Sequence, residues 1–147
     1  MATYKPRIAD RILKRKVLGK GAVLIEGPKW CGKTTTAKQL AKSVLDLGDS
    51  AVLMQSSQMI ELSPKALLEG DTPRLIDEWQ ALPPIWDCIR SEVDRRGEPS
   101  QFILTGSSVL PEADETIHSG TGRFAHVKMF PMSLYESGES SGTISLR

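Results

Sequence analysis

Glycine at 27 and 32, lysine at 33 and threonine at 34 stand at a spacing that can hold phosphate. The octapeptide Gly27-Pro28-Lys29-Trp30-Cys31-Gly32-Lys33-Thr34 satisfies G-x-x-x-x-G-K-[ST] at every fixed position. Glycines admit backbone angles closed to other residues, so successive N–H groups can turn inward around an anion. The Lys33 ammonium is placed for the β- and γ-phosphates of a nucleotide, and the Thr34 hydroxyl for a Mg²⁺ ligand. The nucleotide-binding set is therefore Gly27, Pro28, Lys29, Trp30, Cys31, Gly32, Lys33, Thr34 and Thr35. At Cys31 the neighbouring lysine and a helix terminus would favour a thiolate, though a small residue at a variable position is the simpler account.

Such a loop works between a strand and a helix. Ala22-Val23-Leu24-Ile25 is an apolar run suited to a buried strand, and Ala37, Leu40, Ala41, Val44 and Leu45 recur at helical spacing after it. The spacing predicts one helix running from the loop towards Gly48, its stop signal. Ala51-Val52-Leu53-Met54 then reads as a second strand and Leu75-Ile76-Asp77-Glu78 as a third. Between them, Ser63-Pro64 followed by Lys65-Ala66-Leu67-Leu68 has a cap residue and a proline at the first helical position. Pro84 opens a helix with Ile85, Trp86, Ile89 and Val93 on one face, closed by Gly97. Phe102-Ile103-Leu104-Thr105 is a fourth strand, and residues 124–130 a fifth. Short apolar strands alternating with helices imply an α/β fold, a parallel sheet covered on both faces. Sheets of this kind bind ligands at the carboxyl ends of their strands, where the chemical residues of this chain fall.

Asp77 and Glu78 close the third strand. One carboxylate there can hold Mg²⁺ opposite Thr34, and its neighbour can polarise a water for attack on a γ-phosphate. The Thr105 hydroxyl, at the end of the fourth strand, can hold that water or report the γ-phosphate; a threonine there is also an ordinary strand former. Arg123 follows the turn Ser119-Gly120-Thr121-Gly122 and can lend positive charge to a transition state, or be a surface arginine. His118 and His126 have no partners at metal spacing. The catalytic candidates are Lys33, Glu78, Thr105 and Arg123, and the metal candidates Thr34 and Asp77.

At 147 residues the chain fits one domain with a hydrophobic core, and its 39% hydrophobic and 25% charged content is that of an ordinary globular protein. No apolar run approaches a membrane span and no signal peptide is evident, and Cys31 and Cys88 form no redox or metal pattern, so a cytoplasmic location is expected. Net charge is only +1, but residues 1–20 carry Lys5, Arg7, Arg11, Lys14, Arg15, Lys16 and Lys20 against the single acid Asp10. That segment can meet nucleic acid or an acidic partner, or form a helix packing Ile8, Ile12, Leu13 and Val17 on the domain; the packed helix is the expectation. Residues 137–147 are polar, without an apolar stripe, and read as a loop. The expected organisation is a helical segment over 1–20, a core over 21–136 and a tail over 137–147.

The chain resembles the AAA+ superfamily ATPases of bacteria and archaea whose N-terminal ATPase core is usually followed by a C-terminal domain of unknown function. The matching stretches are Pro6-Arg7-Ile8-Ala9-Asp10, the loop at 27–34, Leu75-Ile76-Asp77-Glu78-Trp79-Gln80, Phe102-Ile103-Leu104-Thr105-Gly106-Ser107, and Gly122-Arg123 through to Pro131-Met132-Ser133-Leu134-Tyr135-Glu136-Ser137-Gly138. The resemblance implies a P-loop NTPase fold, a three-layer α-β-α sandwich with a five-stranded parallel sheet of order 5-1-4-3-2. It makes Asp77 the metal-side acid, Glu78 the hydrolytic base and Thr105 a sensor, and it assigns Tyr4, Arg7 and Ile8 to an adenine pocket. The family's helical lid and C-terminal domain have no counterpart in these residues, so the sequence reads as an excised or truncated core.

The expected function is binding of ATP with Mg²⁺ and hydrolysis to ADP and phosphate. The chain contains no asparagine, so the guanine-reading Asn-Lys-x-Asp motif of GTPases is excluded, and no Leu-Ser-Gly-Gly-Gln stretch marks a transporter ATPase. A small-molecule kinase shares the loop and is the first alternative. An ATP-gated module that binds nucleic acid or protein without catalysis, or associates with itself, is the second.

Overall fold

A computed structural model of the protein describes residues 8–28, 32–106 and 124–129. Helix α1 (Ile8–Gly19) leads into strand β1 (Ala22–Glu26), followed by α2 (Lys33–Lys38), β2 (Ser43–Asp46), α3 (Ser50–Leu62) and α4 (Pro64–Leu68). Strand β3 (Arg74–Asp77), a single 3₁₀ turn (Trp79–Ala81), α5 (Ile85–Arg96), β4 (Phe102–Gly106) and β5 (Phe124–Lys128) complete it. The strands form one five-stranded sheet of order β2-β3-β4-β1-β5, and every pairing is parallel. This is the expected order, with β4 inserted between the loop strand β1 and the acidic strand β3.

Strand side chains alternate between the two faces of a sheet, and both faces here are apolar. Ala22, Leu24, Leu45, Ile76, Phe102, Leu104 and Phe124 point to the side covered by Leu67 and Leu68 of α4 and by Ile85, Trp86, Ile89 and Val93 of α5. Val23, Ile25, Leu75, Ile103 and Val127 face the other way, onto Leu13 and Val17 of α1 and Ala37 of α2. Trp86 stacks on Phe124 with ring centroids 4.4 Å apart and meets Trp79 at 5.0 Å, anchoring α5 and the 3₁₀ turn over the sheet. Each fully buried aliphatic side chain of this kind contributes about 1.5–3 kcal/mol. Val23, Leu24 and Ile25 are fully buried, so the strand feeding the loop is held firmly from both sides.

Two elements differ from the sequence-based expectation. The loop helix ends at Lys38, and Ser43–Asp46, expected within it, forms the edge strand β2; Ala51–Met54, expected as a strand, lies inside α3. Three consecutive threonines, Thr34, Thr35 and Thr36, weaken α2 as a helix, because β-branching restricts their rotamers against the preceding turn. In β2 only Leu45 is buried, so its pattern fits a helix face as readily as an edge strand. Gly48 turns the chain between β2 and α3, where its N–H bonds Asp46 Oδ1 at 3.0 Å. The cap of α3 is Asp49, whose Oδ1 accepts from the N–H groups of Ala51 at 2.9 Å and Val52 at 3.4 Å. Elsewhere the expected helix starts and stops are observed, although Ser63, at the N-cap position of α4, makes no side-chain capping hydrogen bond. Pro64 opens α4, and Gly97 ends α5 with a φ of 64°, a left-handed conformation suited to glycine. Helix α1 buries Leu13 and Val17 as expected, whereas Ile12 is 44% exposed.

Candidate functional site

The parallel pairing brings the carboxyl ends of β1, β3 and β4 to one edge of the sheet, and the candidate residues lie there. Gly27 and Pro28 continue from β1. Gly32 enters α2 with a φ of 94°, a conformation that strains other residues, and Thr36 N–H bonds its carbonyl at 3.0 Å. The first-turn N–H groups, Lys33 to Thr35, have no intrahelical acceptor. Lys33 is buried at 5% exposure, and its ammonium donates to the carbonyls of Gly27 and Pro28, each at 2.8 Å. The lysine thereby spans its own loop.

Asp77 is the hub of the site. Its Oδ1 accepts from the Thr34 hydroxyl at 2.7 Å and from the Thr105 hydroxyl at 2.5 Å. Thr105 is fully buried, and its oxygen also accepts the Glu78 N–H at 3.1 Å. One hydroxyl on β4 thus ties the carboxylate of residue 77 to the backbone of residue 78. Glu78 lies just beyond β3, at φ 57° and ψ 53°, in the left-handed region. For a residue with a side chain this costs on the order of 1 kcal/mol. The turn carries the chain into Trp79–Ala81, and the Gln80 amide returns to donate to Glu78 Oε2 at 2.8 Å.

A cleft of about 690 Å³ opens beside these groups, lined by Gly32, Lys33, Thr34, Thr35, Leu47, Gly48, Leu53, Glu78 and Ala81. That volume suits a small-molecule ligand. Loop residues and Glu78 form its polar side; Leu47, Leu53 and Ala81 form the apolar one. Another cavity, about 510 Å³ between α4 and α5, is lined by Leu62, Leu68, Cys88 and Arg95 among others and has none of the loop or strand-end residues. Burial, reinforced by the Asp87 charge, pushes the Cys88 thiol up, away from the reactive thiolate.

Of the residues singled out in the sequence, Gly27, Gly32, Lys33, Thr34, Asp77, Glu78 and Thr105 are gathered at this edge. Lys29, Trp30, Cys31, Arg123, His118, Tyr4 and Arg7, and the tail over 137–147, lie outside the described residues. Ile8 begins α1. Sequence reasoning gave Gln80 no role, and no spacing rule marks an amide two residues beyond an acid. It also set His126 aside, yet His126 Nδ1 lies 2.6 Å from Glu26 Oε1, immediately before Gly27. Among the described residues no group of three metal-ligating side chains occurs, and no helix is long and apolar enough to cross a membrane.

An all-parallel sheet with a glycine loop after one inner strand, and an acid at the end of a second inner strand with one strand between them, defines the P-loop NTPase class. Residues 19–138 match the AAA domain family. The chain belongs to that family, and with it goes nucleotide binding. It is also similar to two curated proteins, both described only as uncharacterized, from Mycobacterium bovis and Mycobacterium tuberculosis. Each is 27% identical over 137 residues, which cover 92% of this chain. The chain spans 31% of the length of each of these relatives.

Proposed function

We propose that this chain is the ATP-binding core of an AAA-type ATPase that hydrolyses ATP to ADP and phosphate with Mg²⁺. The observation that carries it is the linked set Thr34–Asp77–Thr105–Glu78 at the mouth of the phosphate loop. On nucleotide binding, Lys33 exchanges its two carbonyl acceptors for oxygens of the β- and γ-phosphates, and the loop N–H groups take the remaining charge. A hydroxyl and a carboxylate side by side form a hard oxygen donor set that suits Mg²⁺, so Thr34 and Asp77 would hold the ion. Bound there, Mg²⁺ supplies charge neutralisation to the phosphates. Glu78, on the cleft wall, accepts the proton of the attacking water, and Thr105 keeps the two acids in register. Arg123 is assigned to transition-state charge, and the core is assigned to residues 21–136, between the 1–20 segment and a following region.

Glu78→Gln keeps shape and hydrogen-bonding capacity but removes the base. ATP binding by isothermal titration should stay within about threefold of wild type, while phosphate release falls by about 10²-fold or more. Equal loss of both would overturn the assignment of Glu78. Labelled γ-phosphate recovered on an added small-molecule acceptor, rather than as free phosphate, would establish the kinase alternative instead.

A further inference from the structure

Just beyond the carboxyl end of β3, the backbone of Glu78 is left-handed, and its carboxylate is gripped by a side chain from its own turn. The left-handed φ of 57° reverses the chain, so that Ala81 N–H closes the turn on Glu78 O at 3.0 Å. Trp79 and Gln80 are thereby laid across the end of β4. Trp79 is buried and packs on Trp86 at 5.0 Å, fixing one side of the turn. On the other side Gln80 reaches back to Glu78 Oε2 at 2.8 Å.

Gly106 makes this approach feasible. A Cβ at position 106 would stand 2.9 Å from Gln80 Oε1 and 3.1 Å from Trp79 Nε1. The first distance is closer than side chains pack, so any larger residue displaces the Gln80 amide or the strand end. Gly106 is also the residue at which the described part of β4 ends, directly after Thr105. The Gln80 side chain is therefore set between the end of β4 and the Glu78 carboxylate.

We propose that Gln80 is a positioning residue for hydrolysis: its amide N–H orients the Glu78 carboxylate, and Gly106 keeps the space in which it does so. The inference rests on Glu78 acting as the base, and it names a further residue on which that base depends. A carboxylate on a long side chain has three free torsions, and one fixed hydrogen bond removes much of that freedom before water arrives. A hydrogen bond to a charged group is stronger than one between neutral groups. The effect belongs to the chemical step, since Gln80 is not among the described residues that line the cleft.

The test compares Gln80→Ala, Gln80→Glu and Gly106→Ala in the 147-residue chain, by steady-state phosphate release and by crystal structures. Gln80→Ala should lower kcat about tenfold with KM for ATP within about twofold. Gln80→Glu preserves the shape of the side chain but replaces the N–H donor with an acceptor, so it should lower kcat at least as much. Gly106→Ala should lower kcat as well, and the Gln80→Ala/Gly106→Ala double variant should be no slower than the worse single one, because both changes break one contact. Wild-type kcat in Gln80→Glu would show that only packing matters and overturn the proposal. So would parallel changes in KM and kcat, or fully additive effects of Gln80→Ala and Gly106→Ala. The crystal structures decide the point without turnover. The Glu78 carboxylate should move in Gln80→Ala and Gln80→Glu, and its staying in place in either overturns the proposal. If the wild-type chain releases no phosphate, the hydrolytic reading fails, while the position of the Glu78 carboxylate still decides the role of Gln80.

Discussion

Thr105 shows how one hydroxyl can organise a site. It donates to Asp77 Oδ1 and accepts from the Glu78 N–H, so both functions of the group are engaged in a fully buried position. Replacing it by valine keeps the volume and leaves the Glu78 N–H without this acceptor. Loss of the hydroxyl also removes a donor from the Asp77 carboxylate, and losing a hydrogen bond to a charged group costs about 1–3 kcal/mol. Thr105→Val is therefore expected to lower the stability measured by urea unfolding by that amount, and Thr105→Ser to recover most of it, since the hydroxyl is what counts. A larger loss in Thr105→Ser than in Thr105→Val would show that the methyl group carries the position. At this scale most of the site was legible in the sequence. Lys33, Thr34, Asp77 and Glu78 carry side chains that chemistry at a phosphate demands, and the loop pattern fixes their relation to a strand. Gln80 was not legible, because its place depends on the left-handed turn at Glu78, and nothing in the residue types around an acidic pair announces that turn. The Glu26–His126 contact was hidden for another reason: it joins residues 100 positions apart across paired strands.

Among the elements, the stretch from Lys33 to Leu62 is where pattern and fold part. Val44-Leu45 continued a helical spacing and Ala51–Met54 looked like a strand, yet the first is β2 and the second belongs to α3. Short apolar runs carry no period of their own; what decides them is the partner they meet. For β2 the partner is β3, paired from Ser43 with Arg74 to Asp46 with Asp77. For α3 the decisive local signal is the Asp49 cap, overshadowed in the sequence by the glycine before it. The strands β1 and β4 were legible because they are buried on both faces and read as apolar runs, and β3, with only Leu75 and Ile76 apolar, because the acidic pair closes it. Asp49 gives a direct test of the α3 assignment. Asp49→Ala removes the acceptor for the N–H groups of Ala51 and Val52 and should cost about 1 kcal/mol in thermal or urea unfolding. Asp49→Ser should recover most of it. Because Leu53 of α3 lines the cleft, protection of amides 51–53 in hydrogen exchange should fall in Asp49→Ala before that of β1 does. Unchanged exchange there would mean that α3 is held by its packing alone.

Across the whole molecule, the cleft is built from segments far apart in the chain: the loop after β1, the turn after β2 and the residue after β3. None of these positions exists as a site until the sheet has formed, so a nucleotide that binds there binds the folded state alone. Its binding must then stabilise the fold by RT ln(1 + [L]/Kd), about 2.7 kcal/mol at a hundredfold excess over Kd. For a chain of about 150 residues, 1 kcal/mol moves the midpoint by about 2–4 °C. Saturating ATP with Mg²⁺ should accordingly raise Tm by about 5–10 °C in a calorimetric or dye-based melt, the rise growing with the logarithm of nucleotide concentration. Lys33→Ala should abolish most of that rise. Its own Tm without nucleotide should also fall, since Lys33 is buried and bonds the Gly27 and Pro28 carbonyls, so the informative quantity is the shift within each variant. A shift as large in Lys33→Ala as in wild type would place the nucleotide elsewhere on the molecule. A shift lost in Lys33→Ala and kept in Glu78→Gln would separate the residues that hold the nucleotide from the one assigned to its hydrolysis.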